Sequence, residues 1–247
     1  MPIAHLRVWR GDDNGEYVEY DVDYEEGMVI LDVVHRLQAT QTGDLAVRWN
    51  CKAGKCGSCS AEINGKPRLQ CMQRMEQYPE GETITIAPLK TFPIIRDLVT
   101  DVAWNFRKAE TIPALKLAPA DADGNRRMAQ IDIDRGQEFR KCIECFICQD
   151  VCHVIRDHPE NMDAFAGPRF FVRLAEIAMH PLDEHAKRDT VDHGFGLDYC
   201  NITKCCTDVC PEGIHITDNA IIPLKERRVD EFHDPLRALA RKLTGRG

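Results

Sequence analysis

Lys141–His153 reads KCIECFICQDVCH. Cys142, Cys145, Cys148 and Cys152 reproduce the C-x2-C-x2-C-x3-C spacing that grips a four-iron cluster. His153 stands where proline usually follows the fourth cysteine. In chains with two such runs, the fourth cysteine of each run ligates the other run's cluster. The pattern therefore calls for a second run. Tyr199–Pro211, YCNITKCCTDVCP, supplies it with one change. Cys200, Cys206, Cys210 and Pro211 keep the register, and Thr203 fills the second cysteine position.

Crossing the fourth cysteines gives two ligand sets. Cys142, Cys145 and Cys148 join Cys210, four thiolates suited to [4Fe–4S]. Cys200 and Cys206 join Cys152, with Thr203 in the fourth place. An alcohol is too weak an acid to replace a thiolate, so the expected occupant is [3Fe–4S]. Loss of an iron and a thiolate changes net charge, one control on reduction potential. The higher potential is expected at this end. Cys205 is out of register by one and reads as a spare packed thiol, or as a ligand if the loop rearranges.

A third group lies upstream. Cys51–Cys59, CKAGKCGSC, gives C-x4-C-x2-C, and Cys71 follows. This is plant-type [2Fe–2S] spacing. Gly54 and Gly57 supply a permissive backbone, and loop N–H groups can donate to sulfur. A structural zinc site would more usually show paired C-x2-C knuckles. A redox-active Cys56–Cys59 pair would leave the flanking cysteines unexplained.

Composition narrows the class. The chain has 247 residues and net charge −8, room for two modest domains and a poor match to nucleic acid. Its twelve cysteines are too dilute and too bunched for a disulfide scaffold. No apolar run is long enough to cross a bilayer, and MPIAHLRVWRGDD has no signal-peptide core. A reducing compartment, where thiols persist, is expected.

The first hundred residues read as mixed α/β. AHLRVWR and YVEYDVDY have strand composition. VILDVVHRLQAT places Ile30, Leu31, Val33, Val34 and Leu37 on one helical face. Asn64-Gly65 marks a hairpin, and ETITIAPL alternates like a half-buried strand. Leu117–Asp132 reads as a connecting loop. Beyond it, GPRFFVRLAEIAMHP predicts a helix ending near His180, with a core-packing stripe. DPLRALARKLTGRG predicts a last helix capped by Asp234, with Pro235 in its first turn and Gly245 near its exit. Its Arg237, Arg241, Lys242 and Arg246 read as a solvated face, or as a contact with a partner or a membrane surface.

These motifs, with PLKTFPIIRDLVTD, resemble the iron–sulfur subunit of succinate dehydrogenase and fumarate reductase over nearly the whole chain. The resemblance implies an α+β chain: an N-terminal β-grasp plant-type ferredoxin domain (1–110), a linker (111–135) and an all-α bacterial-type ferredoxin domain (136–247). It implies a flavoprotein partner carrying FAD, membrane anchor subunits and quinone as electron acceptor. Electrons would pass from [2Fe–2S] to [4Fe–4S] to [3Fe–4S], or in reverse for fumarate reduction. The chain would be a subunit of an enzyme with no catalytic substrate site of its own, peripheral on the cytoplasmic face of the membrane. No dinucleotide fingerprint or haem-attachment motif argues otherwise.

The resemblance also places His153, Asn201 and Thr203 at the quinone end. Asn201 stands where many members have histidine, and Asp157 near where ubiquinone-using members have tryptophan; menaquinone stays open. His158, His180, His193 and His215 read as surface or structural. A free-standing electron carrier, a subunit of another quinone- or disulfide-linked oxidoreductase, and a zinc-stabilised interaction protein are the alternatives.

Overall fold

The structure, a computed structural model, describes residues 1–184 and 195–235. His193 and the residues of the expected last helix beyond 235 lie outside them.

The N-terminal half is a mixed sheet wrapped on one helix. β1 (Ile3–Arg10) and β2 (Glu16–Asp23) form an antiparallel hairpin. α1 spans Ile30–Thr40. β3 (Ser60–Ile63) and β4 (Lys66–Leu69) meet at Asn64-Gly65, both at positive φ. That geometry is the two-residue turn this dipeptide favours. β5 (Thr83–Ala87) inserts between β1 and β3, giving the order β2-β1-β5-β3-β4. It runs parallel to β1 and antiparallel to β3.

Alternation along β1 buries Ala4, Leu6 and Val8 against Ile30, Val33, Val34 and Leu37 of α1. Each large apolar side chain buried this way contributes about 1.5–3 kcal/mol. The Asp32 carboxylate accepts from Val29 N–H (3.2 Å) and closes the start of α1. A small ribbon, β6 (Ile94–Arg96) with β7 (Val99–Thr100), stands apart from the main sheet.

The C-terminal half is helical. α2 (Ala103–Glu110) sends Trp104 onto its core. α3 occupies Gln130–Gln137, so the irregular stretch ends at Ala129, earlier than expected. α3 has no buried residue and hence no apolar stripe to announce it. The connecting loop is also pinned. Ala118 N–H donates to Leu182 O (2.8 Å), and Lys116 N–H donates to Asp183 Oδ1 (3.1 Å).

Two short helices follow, α4 (Ile147–Asp150) and α5 (His153–Arg156), then α6 (Pro168–Ala178). α6 buries Phe170, Phe171, Leu174, Ile177 and Ala178, the stripe legible in sequence, and ends before His180. α7 (Cys205–Asp208) precedes a π-helical turn, Ile216–Ile221, and α8 (Ile222–His233).

The halves share a seam. Leu31, Cys59, Leu69 and Cys71 pack with Ile147 of α4. Leu89 and Phe92 pack on Phe146. Glu62 on β3 and Asp150 on α4 both pair with Arg156 of α5. Asp150 also accepts from Thr91 N–H (2.9 Å). Burial pushes the Asp150 carboxyl up to about 7, against the pull of Thr91 and Arg156.

Candidate metal centre

The first thiol group is shaped by backbone. Lys52, Gly54 and Gly57 all have positive φ, curling the loop so that N–H groups face sulfur. Ala53 and Lys55 donate to Cys51 Sγ (3.4 and 3.3 Å), and Cys51 N–H donates to Cys56 Sγ (3.5 Å). Burial acts against ionisation of Cys56, but hydrogen bonds with Ser58 and Cys51 prevail and bring its thiol down to about 7. Cys59 leads into β3, and Cys71 sits in the turn after β4. Both are buried, and burial beside Cys71 pushes Cys59 up to about 12.

The second and third cysteine runs fold alike. A 3-10 turn, Phe139–Lys141, precedes Cys142, and another, Leu197–Tyr199, precedes Cys200. Glu144 and Phe146 have positive φ in one run, Ile202 and Lys204 in the other. Phe146 then caps α4 and Lys204 caps α7. In this pseudo-repeat Thr203 corresponds to Cys145 and Cys205 to Ile147.

The runs exchange their last cysteines. Cys142, Cys145, Cys148 and Cys210 line one cavity, with Ile143, Phe146 and Val172 in its wall. Burial raises Cys142, takes Cys145 to about 12 and holds Cys148 well above the ordinary thiol range, each reinforced by the neighbouring Cys210. Cys152 lies instead among Cys200, Cys205 and Cys206. Burial takes Cys152 to about 12 and Cys206 to about 11.

Buried thiols resist ionising unless positive charge arrives to compensate, and bound iron would supply it. Among the described residues, no three His, Cys, Asp or Glu side chains converge on a single-ion site. Cys142, Cys145, Cys148 and Cys210 ring a cavity instead, an arrangement suited to a polynuclear group. The donor set of soft sulfur ligands fits iron–sulfur clusters.

At the third group, Asn201 Nδ2 donates to His153 Nε2 (2.9 Å), and Thr203 Oγ1 lies 3.4 Å from Cys205 Sγ. His153 and Asn201, which follow Cys152 and Cys200 in the chain, are thus brought together, while Thr203 lies against Cys205. His158 pairs with Glu160 and His215 with Glu138, while His180 accepts from Leu182 N–H. All three serve local structure.

Residues 5–107 match the 2Fe-2S iron-sulfur cluster binding domain, and residues 138–214 match the 4Fe-4S dicluster domain. A chain in the solved Mycobacterium smegmatis Sdh1 complex, apo form, is 62% identical, with TM-score 0.91 over 95% of this chain and 98% of that one. The fumarate reductase iron-sulfur subunit of Mycobacterium tuberculosis is 28% identical over 79% of each chain.

The chain belongs to the succinate dehydrogenase/fumarate reductase iron–sulfur family.

Relatives in this iron–sulfur family differ in length. A subunit of the fumarate reductase (CoM/CoB) of Methanothermobacter marburgensis is 32% identical across 96% of this chain, which spans only 46% of that relative. Among the described residues, no helix is long and apolar enough to cross a membrane. Sequence reading missed Arg169, Gln149 and the close approach of Gly57 to Cys145. None of these carries a motif.

Proposed function

We propose that this chain is the electron-transfer subunit of a succinate:quinone oxidoreductase. In this reading residues 1–110 are a β-grasp ferredoxin domain and residues 136–247 a helical one. Cys51, Cys56, Cys59 and Cys71 hold [2Fe–2S]. Cys142, Cys145, Cys148 and Cys210 hold [4Fe–4S], and Cys152, Cys200 and Cys206 hold [3Fe–4S]. A flavoprotein with FAD feeds the first group. The third faces quinone and the membrane anchor, with the chain peripheral on the cytoplasmic side.

One observation carries the reading: the three thiol groups abut in series. A side chain on Gly57 would sit 2.6 Å from Cys145 Cα, so first loop and second run are in backbone contact. Ser60 Oγ ties them by donating to Cys145 O (3.0 Å). Cys148 in turn is buried in one packed cluster with Cys152 and Cys206. Iron–sulfur clusters, when bound, pass single electrons. The protein's part is to hold their ligands close, exclude water with apolar walls, and aim N–H donors at sulfur. His153 and Asn201 offer polar contacts at the exposed end for a quinone carbonyl.

The fumarate reductase names of several relatives favour the reverse reaction as a second reading. Purification from native membranes tests the assignment. Copurification with a flavoprotein and an anchor, with succinate reducing the clusters, is expected. A soluble monomer carrying every cluster would point to a free carrier instead.

A further inference from the structure

Arg169 opens α6 and is only 9% exposed. It lines the same cavity as Cys142, Cys145, Cys148 and Cys210. Its Nη2 donates to Glu144. Its Nε–H is fully buried and has no acceptor among the described residues. An unsatisfied buried donor costs about 1–3 kcal/mol, more on a charged group. The nearby walls, Ile143, Phe146 and Val172, offer carbon. The side-chain acceptors lining that cavity are the four sulfurs and Glu212, whose carboxylate is already engaged by Lys55 Nζ (3.1 Å).

We propose that Arg169 sets the reduction potential of the group held by these four cysteines. It does so by donating to one of that group's sulfurs and placing a fixed positive charge beside it. The inference rests on the four-thiolate reading above.

The charge is held in place by built structure. Gly167 has φ +86°, and a Cβ there would collide with Gln149 Oε1. That closeness lets Gln149 Oε1 accept from Arg169 N–H (3.1 Å) while Gln149 Nε2 donates to Ala166 O (3.0 Å). Pro168 fixes the first helical turn. Glu144 is exposed enough for water to screen it, so its opposing charge only partly cancels the guanidinium. One-electron reduction adds one negative charge in the cavity and moves no proton or heavy atom. A buried cation stabilises that added charge and raises the potential.

The test is an anaerobic redox titration of the holo-complex, followed by spin resonance, for wild type, Arg169→Gln, Arg169→Lys and Glu144→Gln. At the wild-type midpoint of the four-iron signal, Arg169→Gln should lower the reduced-to-oxidised ratio at least about tenfold, a shift of about 59 mV for a one-electron couple. Arg169→Lys should recover part of this. Glu144→Gln, which removes the counter-charge, should shift the signal the opposite way. The [2Fe–2S] midpoint should stay put. An unmoved four-iron midpoint in iron-replete Arg169→Gln overturns the inference. So does loss of iron in both Arg169 variants with no shift in Glu144→Gln, which would make the residue purely structural. A wild type without any four-iron signal would instead sink the ligand reading itself.

Discussion

Gly57→Ala probes the seam between the first and second thiol groups. The substitution imposes two separable costs. An alanine at φ +69° pays about 1–2 kcal/mol for the left-handed conformation. Its Cβ would also lie 2.6 Å from Cys145 Cα and 2.9 Å from Cys145 N. Ordinary contact begins near 3.4 Å, so two backbone segments must part by roughly an ångström, costing about 1–3 kcal/mol as overpacking does. Gly65 is the matched control. Its φ is +72° and nothing lies within 4 Å of its would-be Cβ, so Gly65→Ala carries the conformational cost alone. The two variants should differ by about 1–3 kcal/mol, or roughly 2–12 °C in Tm for a chain of this size. Anaerobic thermal scans at one fixed rate, with iron per chain measured beforehand, read this difference. Equal Tm for both variants, with full iron in each, would refute the claim that Gly57 packs against the second run.

Other perturbations address the remaining parts of the site. Thr203→Cys restores the missing thiolate: the three-iron spin-resonance signal should vanish, a fourth iron should bind, and the potential should fall. An unchanged spectrum in iron-replete protein would count against the register. Asn201→Ala removes the hydrogen bond to His153 Nε2; quinone reduction should slow with cluster reduction by succinate intact, and equal quinone kinetics would remove this pair from the pocket. The Asp150 carboxyl, raised by burial to about 7, favours the protonated form when folded. Its contribution to stability is full below the unfolded pKa near 4 and is lost as pH rises through about 7. Denaturation at several pH values should show that loss in wild type and not in Asp150→Asn; identical profiles would mean that Arg156 keeps the carboxylate charged throughout.

Local chemistry was legible in the sequence, and distant contact was not. The Asn64-Gly65 hairpin and the α1 and α6 stripes follow from turn geometry and periodicity. The spacing of Cys142, Cys145 and Cys148 likewise states its purpose within a few residues. The insertion of β5 beside β1 depends on a pairing across most of the N-terminal half, which no local pattern encodes. α3 went unread because all its residues face outward or lie half-buried, so nothing periodic marks it. Arg169 reads as one more polar residue at the start of an amphipathic helix. Its aim into the thiol cavity comes from Gly167 and the Gln149 amide, on an element far back along the chain. Thr203 is the opposite case: its proposed role comes from the register of its neighbours, and the two runs share matching 3-10 turns and positive-φ residues.

The central claim is that eleven of the twelve cysteines hold three polynuclear centres of unequal size. Iron and acid-labile sulfide counts on anaerobically isolated chain, with spin-resonance spectra at set potentials, test it most directly. The expected result is about nine irons per chain, in three separately titrating signals of the two-, three- and four-iron types. Zinc in place of iron, or a count that fits only two centres, would contradict it.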